Sequence, residues 1–354
     1  MTIKSAIVGA AGFAGVELMR ILLRHPYFEL AVVTSNELDG VPVVEEYPCF
    51  TDMCDLVFTT HDDPQLNACD LIFLAVPHTA ALKTAPAHVK RGATVVDLSA
   101  DFRLADAALY EKWYNTPHTA LDLLATRAFG LPELFPQDLQ QAHTAYEKGE
   151  GVLVGCAGCY PTATSLAAAP ALRYGMVAPD SCVVVDAISG VTGAGKKCSA
   201  RTHFCFDDEN FEAYGVATHR HTPEIEQILN IGGRLVFTPH LAPANRGLLS
   251  TVTLSLSGDV NRIEDIYASY QAFYKDSYFV HVLKPGKQPK TSSVAATNHA
   301  HIGLALNETT QSLIATCAID NLGKGAASQA VQCANIVCGL EEKAGLDYLA
   351  IPVI

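Results

Sequence analysis

The sequence predicts an α/β protein of two domains, a doubly wound parallel sheet followed by a smaller domain of α+β type. Three observations predict it. Strand and helix signals alternate from Ile3 to Leu98, a glycine-rich turn joins the first strand to the first helix, and the runs become β-rich after about residue 155. The chain has 354 residues, long for one hydrophobic core, so two cores are expected.

The elements follow in order. Ile3 to Val8 is an apolar run that ends at Gly9, and Val16 to Leu23 has helical spacing and stops before His25-Pro26. Leu30 to Thr34 and Leu71 to Val76 are further apolar runs, the latter closed by Pro77. Ala80 to Lys90 reads as a helix and Thr94 to Leu98 as the next strand. Strands separated by helices pair in parallel through right-handed crossovers, which gives the doubly wound sheet. Leu104 to Leu134 shows no clear period and reads as irregular. Cys182 to Ile188, Leu235 to Pro239 and Leu248 to Leu256 are the strands of the second domain, expected to be more antiparallel, with a helix at Asp265 to Tyr274. Gly325 to Leu340 is Ala-rich with helical spacing. The expected division is 1–157 as a dinucleotide-binding domain, with 318–354 packing back on it, and 158–317 as a catalytic and oligomerisation domain.

Composition narrows the function. The net charge of -13 repels nucleic acid and anionic membranes, so neither is an expected partner. Any anionic substrate must then be held by a local set of cations. Eleven cysteines stand without a disulfide-like framework, and the opening Met1-Thr2-Ile3-Lys4-Ser5 does not read as a signal peptide. The expectation is a cytoplasmic protein with reduced thiols.

Gly9-Ala10-Ala11-Gly12-Phe13-Ala14-Gly15 lies between a strand and a helix. Glycine there permits a tight turn and close approach of a pyrophosphate, whose charge the N–H groups at the helix start bind. Gly9, Ala11, Gly12, Phe13, Ala14 and Gly15 are therefore candidate cofactor contacts. The second strand ends in Thr34-Ser35-Asn36, with Glu37 just beyond. A carboxylate at the strand end suits the ribose of NAD, whereas small hydroxyl groups tolerate a 2′-phosphate, so Thr34 and Ser35 favour NADP.

Gly158-Cys159-Tyr160-Pro161-Thr162 precedes the helical run Ala163 to Leu172. A thiol at a helix N-terminus feels the positive end of the dipole, and the N–H groups there can hold an oxyanion. Cys159 is the candidate nucleophile. Competing readings are a buried small hydrophobe or, through Cys156-x-x-Cys159, a redox or zinc pair. The further ligands zinc would need, Cys198, His203 and Cys205, lack the usual spacing, and no metal is expected. A partner base or acid is sought in Thr218-His219-Arg220-His221-Thr222-Pro223-Glu224, where Thr222-Pro223 reads as a helix start and places both histidines in the loop before it.

These motifs together resemble N-acetyl-γ-glutamyl-phosphate reductase, a relative of aspartate-semialdehyde dehydrogenase. The resemblance runs nearly end to end, from Gly9 to Gly15 through Asp97-Leu98-Ser99-Ala100-Asp101-Phe102-Arg103, Gly130-Leu131-Pro132-Glu133, Gly158 to Thr162, Ser189 to Lys196 and His219 to Ile225, closing with Asp320-Asn321-Leu322-Gly323-Lys324-Gly325-Ala326-Ala327. It departs at Ala157, where the family usually has Pro, and at Lys196, where it usually has Arg. The resemblance implies an NAD(P)-binding Rossmann domain joined to a glyceraldehyde-phosphate-dehydrogenase-like α+β catalytic domain. It implies NADPH-dependent reduction of an acyl phosphate to an aldehyde through a thioester on Cys159, with His219 as acid and base, in arginine biosynthesis. Arg103 is then the first choice for the phosphate, with Lys196, Arg220 and Arg246 behind it. Asn321 and Lys324 fall in the cofactor-side segment, and relatives form homodimers or homotetramers. The rival readings are an aspartate-semialdehyde dehydrogenase, a non-catalytic NADP-sensing regulator, and a zinc-dependent alcohol dehydrogenase. The first of these favours Asn before the nucleophile and a Gly-His-Ser segment, where this chain has Gly158 and His219-Arg220-His221.

Overall fold

The structure is a computed structural model and describes residues 2–351 apart from 259 and 261. The last residues of the expected C-terminal segment, 352–354, lie outside the described residues. The chain forms two units, one from Met1–Ala157 and Ala326–Asp347, the other from Gly158–Gly325 and Tyr348–Ile354.

The first stretch of unit 1 runs β1 (Ile3–Val8), α1 (Phe13–Leu22), β2 (Phe28–Thr34), α2 (Val43–Glu46), β3 (Leu71–Leu74), α3 (Ala81–Lys90), β4 (Thr94–Asp97), α4 (Ala107–Tyr114), α5 (Leu121–Thr126), β5 (Ala128–Gly130), α6 (Pro136–Glu147) and β6 (Val152–Cys156). Its sheet has the order β2-β1-β3-β4-β6-β5, and every neighbouring pair is parallel. The residues of β3, β4 and β6 are all buried, as expected of parallel strands covered on both faces. The strand order reverses between β1 and β3, so the turn after β1 sits where open α/β sheets hold ligands. The stretch expected to be irregular contains α4, α5 and β5. Asp106 caps α4 by accepting the Ala108 N–H at 2.8 Å, and Asn115 ends it in a left-handed conformation (φ 52°).

Unit 2 contains α7 (Cys159–Arg173), β7 (Val183–Gly190), α8 (Phe204–Asp207), β8 (Glu212–Ala213), α9 (Thr222–Leu229), β9 (Leu235–Ala242), β10 (Leu248–Ser255), α10 (Ile263–Phe273), β11 (Val280–Val282), β12 (Ala300–Asn307) and β13 (Ser312–Ile319). Its sheet has the order β11-β12-β13-β10-β7-β9-β8 and is mostly antiparallel, with parallel pairing at β11–β12 and β7–β9. Helices α7, α9 and α10 pack on one face. On the other face the alternation of β7 leaves Val184 and Ile188 exposed, with Val236 of β9 beside Val184. After β13 the backbone passes through one π-helical turn, Gly323–Ala327, and continues as α11 (Ser328–Val337), which packs on α6 and β4 within unit 1. Among the described residues no helix is long and apolar enough to cross a membrane.

Candidate active site

The glycine turn of unit 1 divides its work among three glycines. Gly9 has φ +87°, and a Cβ there would stand 2.4 Å from the Ala75 carbonyl oxygen. A Cβ at Gly15 would meet backbone atoms of Gly9 and Ala10 at 2.6 Å, so this residue lets α1 press on the turn. Gly12, the N-cap of α1, has open space, with Gly9 O at 3.7 Å the sole heavy atom near such a Cβ. It offers no side-chain cap, and no acidic residue lies in the first turn of the helix. Partly exposed Ala11, Gly12, Phe13 and Ala14 thus present a helix N-terminus that fits the pyrophosphate of a dinucleotide.

The end of β2 corrects one expectation. Thr34 is fully buried, its Oγ1 lies 2.7 Å from Nδ1 of His61, and its carbonyl accepts the N–H groups of Gly9 and Ala10. It props the turn from beneath and has no surface to offer a ribose phosphate. Ser35 is also buried, at 6% exposure, and the exposed groups beyond it are Asn36 and Glu37.

Arg103 is explained by its surroundings as well. It is buried and donates from Nε to the Cys156 carbonyl and from Nη2 to the Leu98 carbonyl, both at 2.8 Å, tying the ends of β4 and β6 together. The residues before it form a closed network. Asp101 accepts from the N–H groups of Thr79 and Leu82 at the start of α3 and from the Tyr110 hydroxyl, while Asp97 accepts from the N–H and hydroxyl of Ser99. Burial, reinforced by the nearby Asp101 carboxylate, pushes the Asp97 carboxyl up to about 7.

In unit 2, Cys159 is the first residue of α7 and Gly158 its N-cap. Two contacts fix that turn. Glu224, 1% exposed on α9, accepts the Gly158 N–H through Oε1 at 2.9 Å. Gly325, in the π-helical turn, lies so close that a Cβ on it would stand 2.7 Å from Cys159 Cβ. Neither residue carried a sequence signal for this role. Glu224 was visible only as part of the histidine motif.

His219 sits in an aromatic cage. The rings of Tyr160, Tyr214 and Phe237 meet it edge to face with centroids at 5.6, 5.3 and 5.4 Å, and His221 lies at 4.8 Å. Tyr214 donates to the Tyr160 hydroxyl at 3.3 Å, which donates in turn to the His240 carbonyl. Burial pushes both phenols upward, and the charge of Cys159 contributes to each shift. Cys159 and His219 therefore share Tyr160 and Tyr214 as neighbours. Burial, with a lesser part from the Arg220 charge, holds the His219 imidazole down at about 4.

The remaining candidates are distributed as follows. Arg246 forms a two-point ion pair with buried Asp320, from Nε at 2.9 Å and Nη2 at 3.1 Å, and Asp320 also accepts the N–H groups of Ala296, Leu322 and Gly323. Lys196 and Arg220 are exposed. Asn321 and Lys324 are both buried. The Asn321 amide accepts the Gly247 N–H and donates to the Thr192 hydroxyl, joining three loops of unit 2. Lys324 is fully buried, with its ammonium 5.8 Å from the centre of the Phe279 ring, and so it is no surface charge. Among the described residues no group of His, Cys, Asp and Glu is arranged to hold a metal.

Comparison with known proteins agrees with this division. The model of the semialdehyde dehydrogenase NAD binding domain matches residues 4–142, and that of the semialdehyde dehydrogenase dimerisation domain matches 159–321. The N-acetyl-gamma-glutamyl-phosphate reductase of Desulforamulus reducens is 45% identical over 99% of both chains, and that of Desulforudis audaxviator 43% over 98% of both. Among solved structures, aspartate semialdehyde dehydrogenase II of Vibrio cholerae superposes with a TM-score of 0.71 at 15% identity, over 95% of this chain and 98% of that one. The Candida albicans aspartate semialdehyde dehydrogenase with NADP gives 0.70 at 15%, over 98% and 99%. At that identity these two structures speak for the fold. The chain is an α/β oxidoreductase with a nicotinamide-nucleotide-binding domain, and it belongs to the N-acetyl-γ-glutamyl-phosphate reductases of the semialdehyde dehydrogenase family.

Proposed function

We propose that this chain reduces N-acetyl-γ-glutamyl phosphate to N-acetylglutamate semialdehyde and phosphate, with NADPH as reductant, in arginine biosynthesis. The observation that carries the reading is Cys159 at the N-terminus of α7, sharing Tyr160 and Tyr214 with His219. Cys159 thiolate attacks the acyl carbon, the carbon–oxygen bond to phosphate breaks, and a thioester remains. Backbone N–H groups at the start of α7 hold the oxyanion of the tetrahedral states. Gly9 to Gly15 would hold the reduced dinucleotide, which when bound would supply hydride for reduction of the thioester carbon. Cleavage of the carbon–sulfur bond then releases the aldehyde and restores the thiolate.

Arg246 is the preferred anion ligand in unit 2, because its ion pair with Asp320 fixes the guanidinium plane before substrate arrives. Lys196 and Arg220, both exposed, are the other cations offered to phosphate and substrate carboxylate, whereas Arg103 is engaged with the Cys156 and Leu98 carbonyls. NADPH is preferred to NADH because the first exposed side chain after β2 is the uncharged Asn36, with Glu37 one residue further on. The exposed apolar face of the unit 2 sheet, with Val184, Ile188 and Val236, supports assembly into a homodimer or homotetramer. A cytoplasmic setting fits the free cysteines.

The test is phosphate-dependent reduction of NADP with N-acetylglutamate semialdehyde as substrate. Activity restricted to aspartate semialdehyde would reject this substrate in favour of the sister family.

A further inference from the structure

The structure assigns Asp101 a part in dinucleotide binding as a positioning residue. Its buried carboxyl holds Thr79 in a left-handed conformation and so fixes the loop after β3 beside the glycine turn. The inference rests on the reading of Gly9 to Gly15 as the dinucleotide site. Thr79 has φ +76°. Among the described residues with positive φ that are not glycine, it alone is β-branched. The branch at Cβ makes that conformation costly, and it persists only where the surroundings impose it.

Asp101, fully buried in the loop after β4, imposes it. Its Oδ1 accepts the Thr79 N–H at 2.7 Å, and its Oδ2 accepts the N–H of Leu82, in the first turn of α3, at 3.3 Å. Ala80, the N-cap of α3, has no side chain to cap the helix, so the carboxyl does this from another loop. Asp101 is itself held in place. Its Oδ1 also accepts the Tyr110 hydroxyl at 2.8 Å, its N–H donates to Ser99 Oγ at 3.1 Å, and its carbonyl lies 2.9 Å from Nε2 of His118. A second tie joins the same two loops, from the Ala100 N–H to Nδ1 of His78 at 3.3 Å.

The loop stands where a dinucleotide is expected. β1 and β3 are the neighbours between which the strand order reverses, and ligands of open α/β sheets lie in the crevice above such a pair. The Ala75 N–H donates to the Val8 carbonyl at 2.8 Å, and the Ala75 carbonyl fills the place of a Cβ on Gly9. The loop therefore leaves β3 in contact with the glycine turn. Beyond that contact Pro77 and His78 are exposed and Thr79 partly so. A plain connection would relax its strain. Strain kept at the mouth of a crevice by a buried carboxyl gives the ligand a wall already in its bound shape, which lowers the ordering cost of binding.

Calorimetric titration of the full-length protein with NADPH, and in parallel with NADH, tests this. Asp101→Asn replaces one acceptor oxygen by an amide NH₂ and cannot satisfy all the donors that the carboxyl serves. It is expected to raise the dissociation constant ~10-fold. Tyr110→Phe takes a donor from the same carboxyl without touching the loop, and is expected to lower the thermal midpoint while the dissociation constant stays within ~2-fold. In a Thr79→Gly background Asp101→Asn should weaken binding by less than ~3-fold, because glycine takes up positive φ without strain. An equal loss in both backgrounds, or a loss in Tyr110→Phe as large as in Asp101→Asn, marks general destabilisation and overturns the inference. Amide hydrogen exchange over residues 75–82 of the protein without nucleotide gives a second readout. Exchange at Thr79 is expected to be faster in Asp101→Asn than in wild type, and unchanged exchange overturns the inference. Preference for NADH would reject the NADPH reading and leave the part of Asp101 standing. Binding of neither would reject the glycine-turn site and the inference with it.

Discussion

At Cys159 the surroundings matter more than the sulfur. A carboxylate 65 positions along the chain holds the amide before it, and a glycine without a side chain gives its Cβ room. Three outcomes follow. Cys159→Ser is expected to lower turnover by more than ~10³-fold while NADP binding, measured by fluorescence or calorimetry, persists, because hydroxyl is far weaker than thiolate as a nucleophile at neutral pH. Glu224→Ala should strand the buried Gly158 N–H at a cost of about 1–3 kcal/mol in denaturant titrations, whereas Glu224→Gln keeps an acceptor oxygen and most of that stability. Gly325→Ala should slow alkylation of Cys159 as well as turnover, since the new methyl meets Cys159 Cβ. That Cys159 opens a helix and that the two histidines stand just before another was legible in the sequence from residue type and local spacing. Glu224 and Gly325 were not, because their meaning lies in contacts between segments far apart in sequence. Arg103, Thr34, Asn321 and Lys324 were marked by motif, yet their side chains prove to be held inside their own units, where burial decides what they touch.

At the level of elements, the turn between β1 and α1 separates two roles that the glycine spacing alone leaves merged. Gly15→Ala is expected to lower the thermal midpoint, since its methyl would press on the backbone of Ala10. Gly12→Ala should leave the midpoint nearly unchanged and raise KM for the dinucleotide, because the space it fills is the one proposed for the phosphate. The alternation of β1, α1, β2, β3, α3 and β4 was readable because short apolar runs alternate with helical spacing, and several of them stop near Gly or Pro, as at Gly9, Pro26, Pro77 and Gly92. Leu104 to Leu134 was not, because α4, α5 and β5 are too short to establish a period. The hairpin of β12 and β13 also escaped, since its polar positions are occupied by small residues such as Gly303 and Ala305 that weaken alternation. The thiol at the N-terminus of α7 was visible from sequence because an apolar, Ala-rich run follows it directly.

Across the whole molecule, buried titrating groups set how stability depends on pH. His219 and His25 are each held down to about 4 by burial, so both stay neutral in the fold while the unfolded chain takes up protons below 6.5. Their share of stability is present above 6.5 and is lost as pH falls toward 4. Asp97 acts in the opposite sense. Raised to about 7, it keeps its proton in the fold after the unfolded chain has lost it near 3.8, so its share fades as pH rises toward 7. Scanning calorimetry is expected to show a thermal midpoint that declines between about pH 6 and 4, with the decline smaller in His25→Gln. On the outer face of the unit 2 sheet, Val184→Asp combined with Ile188→Asp should lower the mass measured by sedimentation while each unit remains folded. The path of the chain carries one more consequence. Unit 1 needs α11, whose Gln332 reaches Glu133 and whose Val337 carbonyl meets His143. A ribosome therefore completes unit 1 only after most of unit 2 has emerged, and a nascent chain halted before residue 326 would expose the patch on α6 that α11 is meant to cover.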